Sequence, residues 1–110
     1  MKLLTKAIEA KLLKNPLYIH DGCKRPEVLV KFFAPDSNWT WYVTEGEKQE
    51  DGDWRFFGLV EGHETELGYF MLSELQSAKG PFGLKIERDL YFDGYVLDLQ
   101  QNPIKAVRDV

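Results

Sequence analysis

His63-Glu64-Thr65-Glu66 sets an imidazole and two carboxylates within four residues, the donor types that a zinc ion accepts. A metal centre needs three or four converging ligands, and His20 is the only other histidine. The segment therefore reads as an exposed polar turn, and neither metal nor cofactor is expected. His20-Asp21-Gly22-Cys23 places a thiol near an imidazole, with Lys24 and Arg25 adjacent to acidify it. Nothing around it resembles an oxyanion hole, so Cys23 reads as an incidental thiol. Glu87-Arg88-Asp89, on an extended segment, aims Glu87 and Asp89 to one face and Arg88 to the other. Paired carboxylates can run acid–base or two-metal chemistry if other ligands join them. The structural alternative has Arg88 forking onto a carboxylate across a sheet and fixing its register.

Rings are the fourth feature. Trp39, Trp41, Tyr42, Trp54, Phe56 and Phe57 crowd onto two neighbouring segments. Aromatic sheets can stack single-stranded bases, but such surfaces are basic and these segments are acidic. Core packing is the reading adopted, with Trp39 and Tyr42 left as candidates for an exposed platform. The Gly80-Pro81-Phe82-Gly83 stretch lacks the Lys-Ser/Thr of a phosphate loop, and no nucleophile elbow, Cys-x-x-Cys or His-Glu-x-x-His motif occurs.

The chain that must position these groups has 110 residues, 44% of them hydrophobic and 29% charged, which suits one globular domain. A net charge of −4 argues against a general nucleic-acid binder. The charge is segregated: residues 1–31 carry +4, residues 32–76 carry −8, and residues 77–110 balance. One cysteine excludes an intramolecular disulfide, the N-terminus lacks an apolar signal core, and no apolar run approaches a membrane span. A reducing cytoplasm is the expected compartment.

Leu4, Ile8 and Leu12 repeat at helical spacing, widened by Ala7 and Leu13, and predict a helix over 5–14 capped by Thr5 and ended by Asn15-Pro16. Strands are predicted over 27–34, 38–45, 54–61 and 66–71. In the second, Trp39, Trp41 and Val43 alternate with Thr40, Tyr42 and Thr44. Residues 46–53 are predicted to be a mobile hairpin loop, and Gly58 marks a bulge or a close backbone approach. Connections this short make an antiparallel meander. Ser73 and Gln76 predict a capping box opening a short helix that Gly80-Pro81 stops. Residues 85–92 resume an extended pattern, 95–99 add a short strand, and Asn102-Pro103 opens a terminal helix holding Ile104, Ala106 and Val107. The fold class is α+β, a twisted antiparallel sheet of four to six strands with helices on one face.

The strings Lys2-Leu3-Leu4-Thr5-Lys6, the run from Val30 through Glu45, Phe56-Phe57-Gly58-Leu59-Val60, Glu66-Leu67-Gly68-Tyr69-Phe70 and Ile86-Glu87-Arg88-Asp89-Leu90 resemble, in order, a small bacterial family known as domain of unknown function 2958. The resemblance covers residues 1–92, with 93–110 as an extension packed on the domain or loosely ordered. It implies cargo of plasmids, conjugative elements and phages, near DNA-handling genes, and it implies no activity, cofactor or catalytic residue.

The expected function is a non-enzymatic interaction module. Its loop 45–53 and turn 63–66 would present Glu45, Glu64 and Glu66 with His63 to a basic protein partner, a DNA-processing one by the resemblance. Two alternatives stand beside it: a metal-dependent hydrolase using Glu64, Glu66, Glu87 and Asp89, and a weak single-strand binder using Trp39, Trp41 and Tyr42.

Overall fold

A computed structural model describes residues 1–109. Helix α1 (Lys6–Leu13) begins where the Thr5 hydroxyl accepts the Ile8 amide at 3.2 Å, the bond expected of an N-cap. Leu12 is fully buried, whereas Ala7 and Leu13 face solvent, so the apolar stripe is narrower than its spacing predicts.

Five strands make one antiparallel sheet: β1 (Val30–Phe33), β2 (Thr40–Lys48), β3 (Trp54–Glu61), β4 (Thr65–Met71) and, after helix α2 (Leu72–Ser77), β5 (Glu87–Arg88). Their order is β4-β3-β2-β1-β5, the predicted meander with β5 returning to the far edge beside β1. One face carries Val30, Phe32, Val43, Phe56 and Phe70 against α1, α2, Leu3 and Leu4. The other carries Tyr42, Leu59 and Leu67 against a two-stranded sheet, β6 (Tyr95–Asp98) and β7 (Lys105–Arg108). Leu97, at its centre, is fully buried.

The predicted terminal helix is replaced by β7. Val107 pairs with Val96 and Ala106 with Leu97, so a two-residue period, and not a helical one, buries the apolar side chains. Residues 46–53 also differ from expectation. β2 runs on to Lys48, paired with Trp54, and Gly46 packs under Phe56 and Leu12, which leaves only 49–53 as the turn. Gly58 is the close approach that its position predicts, since a Cβ there would land on the Tyr42 carbonyl. The bulge lies opposite, at Thr44, which is skipped between Val43 and Glu45 and donates its hydroxyl to the Phe57 carbonyl at 3.3 Å. That extra residue rotates the strand, so Glu45 falls beside Phe57 on the face opposite Val43.

Helix α2 follows β4 with no linker, so the Ser73–Gln76 capping box does not form. Glu74 accepts the Met71 amide at 2.8 Å in its place. Asp53, at the start of β3, accepts the Ser73 hydroxyl at 2.6 Å and the Ser73 amide at 3.1 Å. The Ser73 hydroxyl, followed by the Trp54 and Ser73 amides, holds the Asp53 carboxyl below the usual carboxylate range against a smaller opposing effect of burial. A depressed folded pKa adds stability above the unfolded value and loses it as pH falls through the folded one. Asp53→Asn is therefore expected to lower the melting point only modestly at neutral pH, because solvent screens a carboxylate this exposed. The gap to wild type should hold down to about pH 4 and close progressively below it; a gap that persists unchanged well below pH 4 would refute the linkage.

Candidate functional site

At the turn end of the helix face, Trp39, Trp41, His63, Ala34, Lys79 and Ile86 line a groove of about 400 Å³. The Pro35-Asp36-Ser37 turn is closed by the Ser37 amide on the Ala34 carbonyl at 3.2 Å and the Ala34 amide on the Trp39 carbonyl at 3.0 Å, which delivers Trp39 to the start of β2. Its indole lies flat on Gly62 in the β3–β4 turn, where a Cβ would come within 2.5 Å of the ring. Trp41 stands 5.9 Å from it, and the His63 ring meets its edge at 5.6 Å in a T-shaped pair. The opposite wall, residues 78–81, is tied down from below. One Asp36 carboxylate oxygen accepts the Phe82 and Leu84 amides at 2.8 and 3.3 Å, and its other oxygen presses against Gly80. The two indoles are half-buried and His63 is exposed, so one side of the groove is open.

The structure brings some of the predicted residues together and separates others. Trp39 and His63 touch, and Glu64 and Glu66 follow His63 into β4 as exposed carboxylates. Glu66 pairs with Val60, which pairs with Trp41, so all three share one sheet face, about 10 Å spanning two strand spacings. Tyr42 lies on the other face under Phe92, its hydroxyl donating to Glu61 at 3.1 Å. Burial first, then the Glu61 charge and hydrogen bond, hold the Tyr42 phenol protonated far above its ordinary range. Trp39, Trp41 and Tyr42 therefore do not form one platform.

Glu87, Arg88 and Asp89 occupy the β5 edge, the opposite side of the sheet from β4. Four strand spacings, about 19 Å, separate them from Glu64 and Glu66, so the four carboxylates do not share a centre. Asp89 pairs with Lys31 at 3.6 Å. Arg88 does not fork onto a carboxylate: its guanidinium donates to the main-chain carbonyls of Lys2 and Leu3. Among the described residues, no three His, Cys, Asp or Glu side chains are grouped to hold a metal ion.

Glu45 departs furthest from expectation. It is 4% exposed, inside β2, and its carboxylate accepts the amide of Tyr18, a residue at φ 75°. It belongs to the anchoring of loop 16–26 and not to the acidic hairpin tip, where Glu47, Glu50 and Asp51 remain exposed. The nitrogen of His20 lies 3.1 Å from the Asn15 side-chain oxygen, and Cys23 is an exposed thiol. A larger depression of about 750 Å³ beside the N-terminal segment is walled by the core leucines Leu3, Leu4, Leu72 and Leu75, so altering it changes stability first.

A family model matches residues 3–99, most of the chain. The chain belongs to the family described as protein of unknown function (DUF2958). The matched span runs from the buried Leu3 through β6, and it contains every residue that lines the groove. No curated protein and no solved structure matches the chain.

Sequence reading overlooked Asp36 and Gly80. Each looked complete by itself, one as a turn residue and the other as a helix stop. Their partnership crosses 44 positions and leaves no local pattern.

Proposed function

We propose that this family member is a non-enzymatic interaction module that takes a basic side chain of a partner protein into the Trp39–Trp41 groove. The observation that carries this reading is a pair of half-open indoles beside an acidic turn. An arginine or lysine on an indole face gains roughly 0.5–1 kcal/mol when exposed and about 2 when desolvated. Lys79 lines the groove, and the exposed Glu64 and Glu66 follow His63 just beyond that lining, so two negative charges against one positive favour a cation on the open side. Glu47, Glu50 and Asp51 lie at the other end of β2, about 30 Å away at the rise of a strand, and add to the long-range attraction of a basic partner but not to the groove's own field. An accessory role in a plasmid or conjugative element, with a DNA-processing protein as the partner, belongs to this proposal. So does a reducing cytoplasm, which suits an exposed lone thiol.

Tryptophan fluorescence, titrated with a 12-residue arginine–glycine peptide, tests the reading. Binding should change the emission and weaken several-fold between 50 and 500 mM salt. Trp39→Ala should lose at least about tenfold in affinity, and Glu64→Gln with Glu66→Gln about three- to fivefold. An emission unmoved by the peptide, or moved only by a single-stranded oligonucleotide, would overturn it.

A further inference from the structure

We propose that strand β4 is a self-association edge, along which two copies of this chain join their sheets. β4 is the outermost strand, seven residues long, and it carries neither proline nor lysine. Such an edge is one that soluble proteins usually blunt. The other edge is blunted: β5 has two residues, and the Arg88 amide on that strand is capped by the Met1 sulfur at 3.2 Å. No main-chain hydrogen bond from outside β3 reaches residues 65–70 among the described residues, so one row of amides and carbonyls along β4 is unpartnered.

The sequence of the edge selects the second copy as its occupant. In an antiparallel pair, residues that face each other lie on the same sheet face, so a two-fold axis must pass through a residue. An axis through Gly68 pairs all seven residues. It sets Leu67 opposite Tyr69, Thr65 opposite Met71 and Glu66 opposite Phe70 of the second copy. No like charges meet. An axis through Glu66 would oppose two carboxylates, and axes through Leu67 or Tyr69 leave part of the strand unpaired. Tyr69, 45% exposed and carrying the Arg55 guanidinium 4.3 Å from its ring centre, becomes a covered cross-strand partner of Leu67.

The pairing has a positional test. Facing residues in an antiparallel pair have Cα atoms about 4.5–5.5 Å apart, inside the range that a disulfide spans. Space above Gly68 is open, with nothing within 4 Å of a Cβ placed there. In a Cys23→Ser background, Gly68→Cys should give a covalent dimer with oxidised glutathione, whereas Glu66→Cys and Tyr69→Cys should stay single-chain. Unmodified protein at 200 µM should sediment at twice the chain mass, and Tyr69→Lys, at an exposed position, should weaken association at least tenfold with an unchanged circular dichroism spectrum. A single-chain mass at that concentration would overturn the proposal, as would cross-linking of Glu66→Cys equal to that of Gly68→Cys. Neither readout uses the groove or its peptide.

Discussion

Replacing Gly58 with alanine is expected to be the most damaging single-methyl change in the sheet. Gly58 sits opposite Val43 at the last regular pair before the Thr44 bulge, in the longest strand pairing of the molecule. An added Cβ would land on the Tyr42 carbonyl oxygen and come within 2.8 Å of its carbon. Those are backbone atoms at the centre of a five-stranded sheet, and no rotamer change can move them aside. Relief requires β2 and β3 to part, which also loosens the fully buried Val43, Phe56 and Leu59 that the two strands carry. Overpacking in a rigid site costs about 1–3 kcal/mol, and a backbone collision belongs at the top of that range or beyond it. Loss of about 3 kcal/mol corresponds to a melting point lower by roughly 12 °C or more for a domain of this size. Gly68→Ala, at the residue directly opposite Gly58 on β4, meets empty space and should change stability by less than about 0.5 kcal/mol. Parallel thermal melts decide the matter. Equal melting points for the two variants would mean that β2 can retreat from Gly58 without loss.

The contrast between those two glycines shows how much of the molecule its sequence discloses. Alternation of Trp39, Trp41 and Val43 against Thr40 and Tyr42 states which side chains share a face, because the two-residue period is local and short connections force neighbouring strands to pair. The meander, α1 with its Thr5 cap, and the close approach at Gly58 follow from such local rules. What escapes them are contacts decided by register or by distant partners. A single skipped residue, Thr44, moved Glu45 from the predicted acidic loop into the interior, where the Tyr18 amide receives its carboxylate. Nothing in the string Thr44-Glu45-Gly46 announces a bulge. The tail shows a different limit: Asn102-Pro103 is a sound helix opening, yet the hydrophobic surface awaiting residues 104–108 is one that a strand covers, and tertiary burial prevails over local preference. The candidate site was half legible. Trp39 and His63 were both singled out from their chemistry, but their contact depends on Gly62 giving the indole a flat seat, and the opposite wall depends on Asp36 reaching Gly80.

Arg88→Met is expected to release the N-terminal segment from the core. The side chain runs from the β5 edge to the carbonyls of Lys2 and Leu3, while its own amide holds the Met1 sulfur, so one residue fastens three consecutive ones. Leu3 and Leu4 behind it are 6% and 8% exposed and belong to the cluster around Phe32 and Leu12. Hydrogen bonds to a charged group contribute about 1.5–3 kcal/mol each when buried. Both carbonyls can recover part of that from water once freed, so a net loss of about 2 kcal/mol is the expected value. Lysine should not rescue it: both bonds come from one guanidinium nitrogen held at a fixed reach and orientation, and a strongly hydrated ammonium on a flexible stem does not reproduce that placement. Hydrogen exchange resolves the effect: amides of residues 3–5 and of the first turn of α1 should lose protection in Arg88→Met and Arg88→Lys, while those of β6 and β7 on the other face keep theirs. Coupling gives a second check. If Arg88 acts by docking Leu3 and Leu4, combining Arg88→Met with Leu4→Ala should cost well under the sum of the two single changes, since both undo the same contact. Additive losses would instead assign Arg88 to the register of β5 against β1, independent of the segment that it touches.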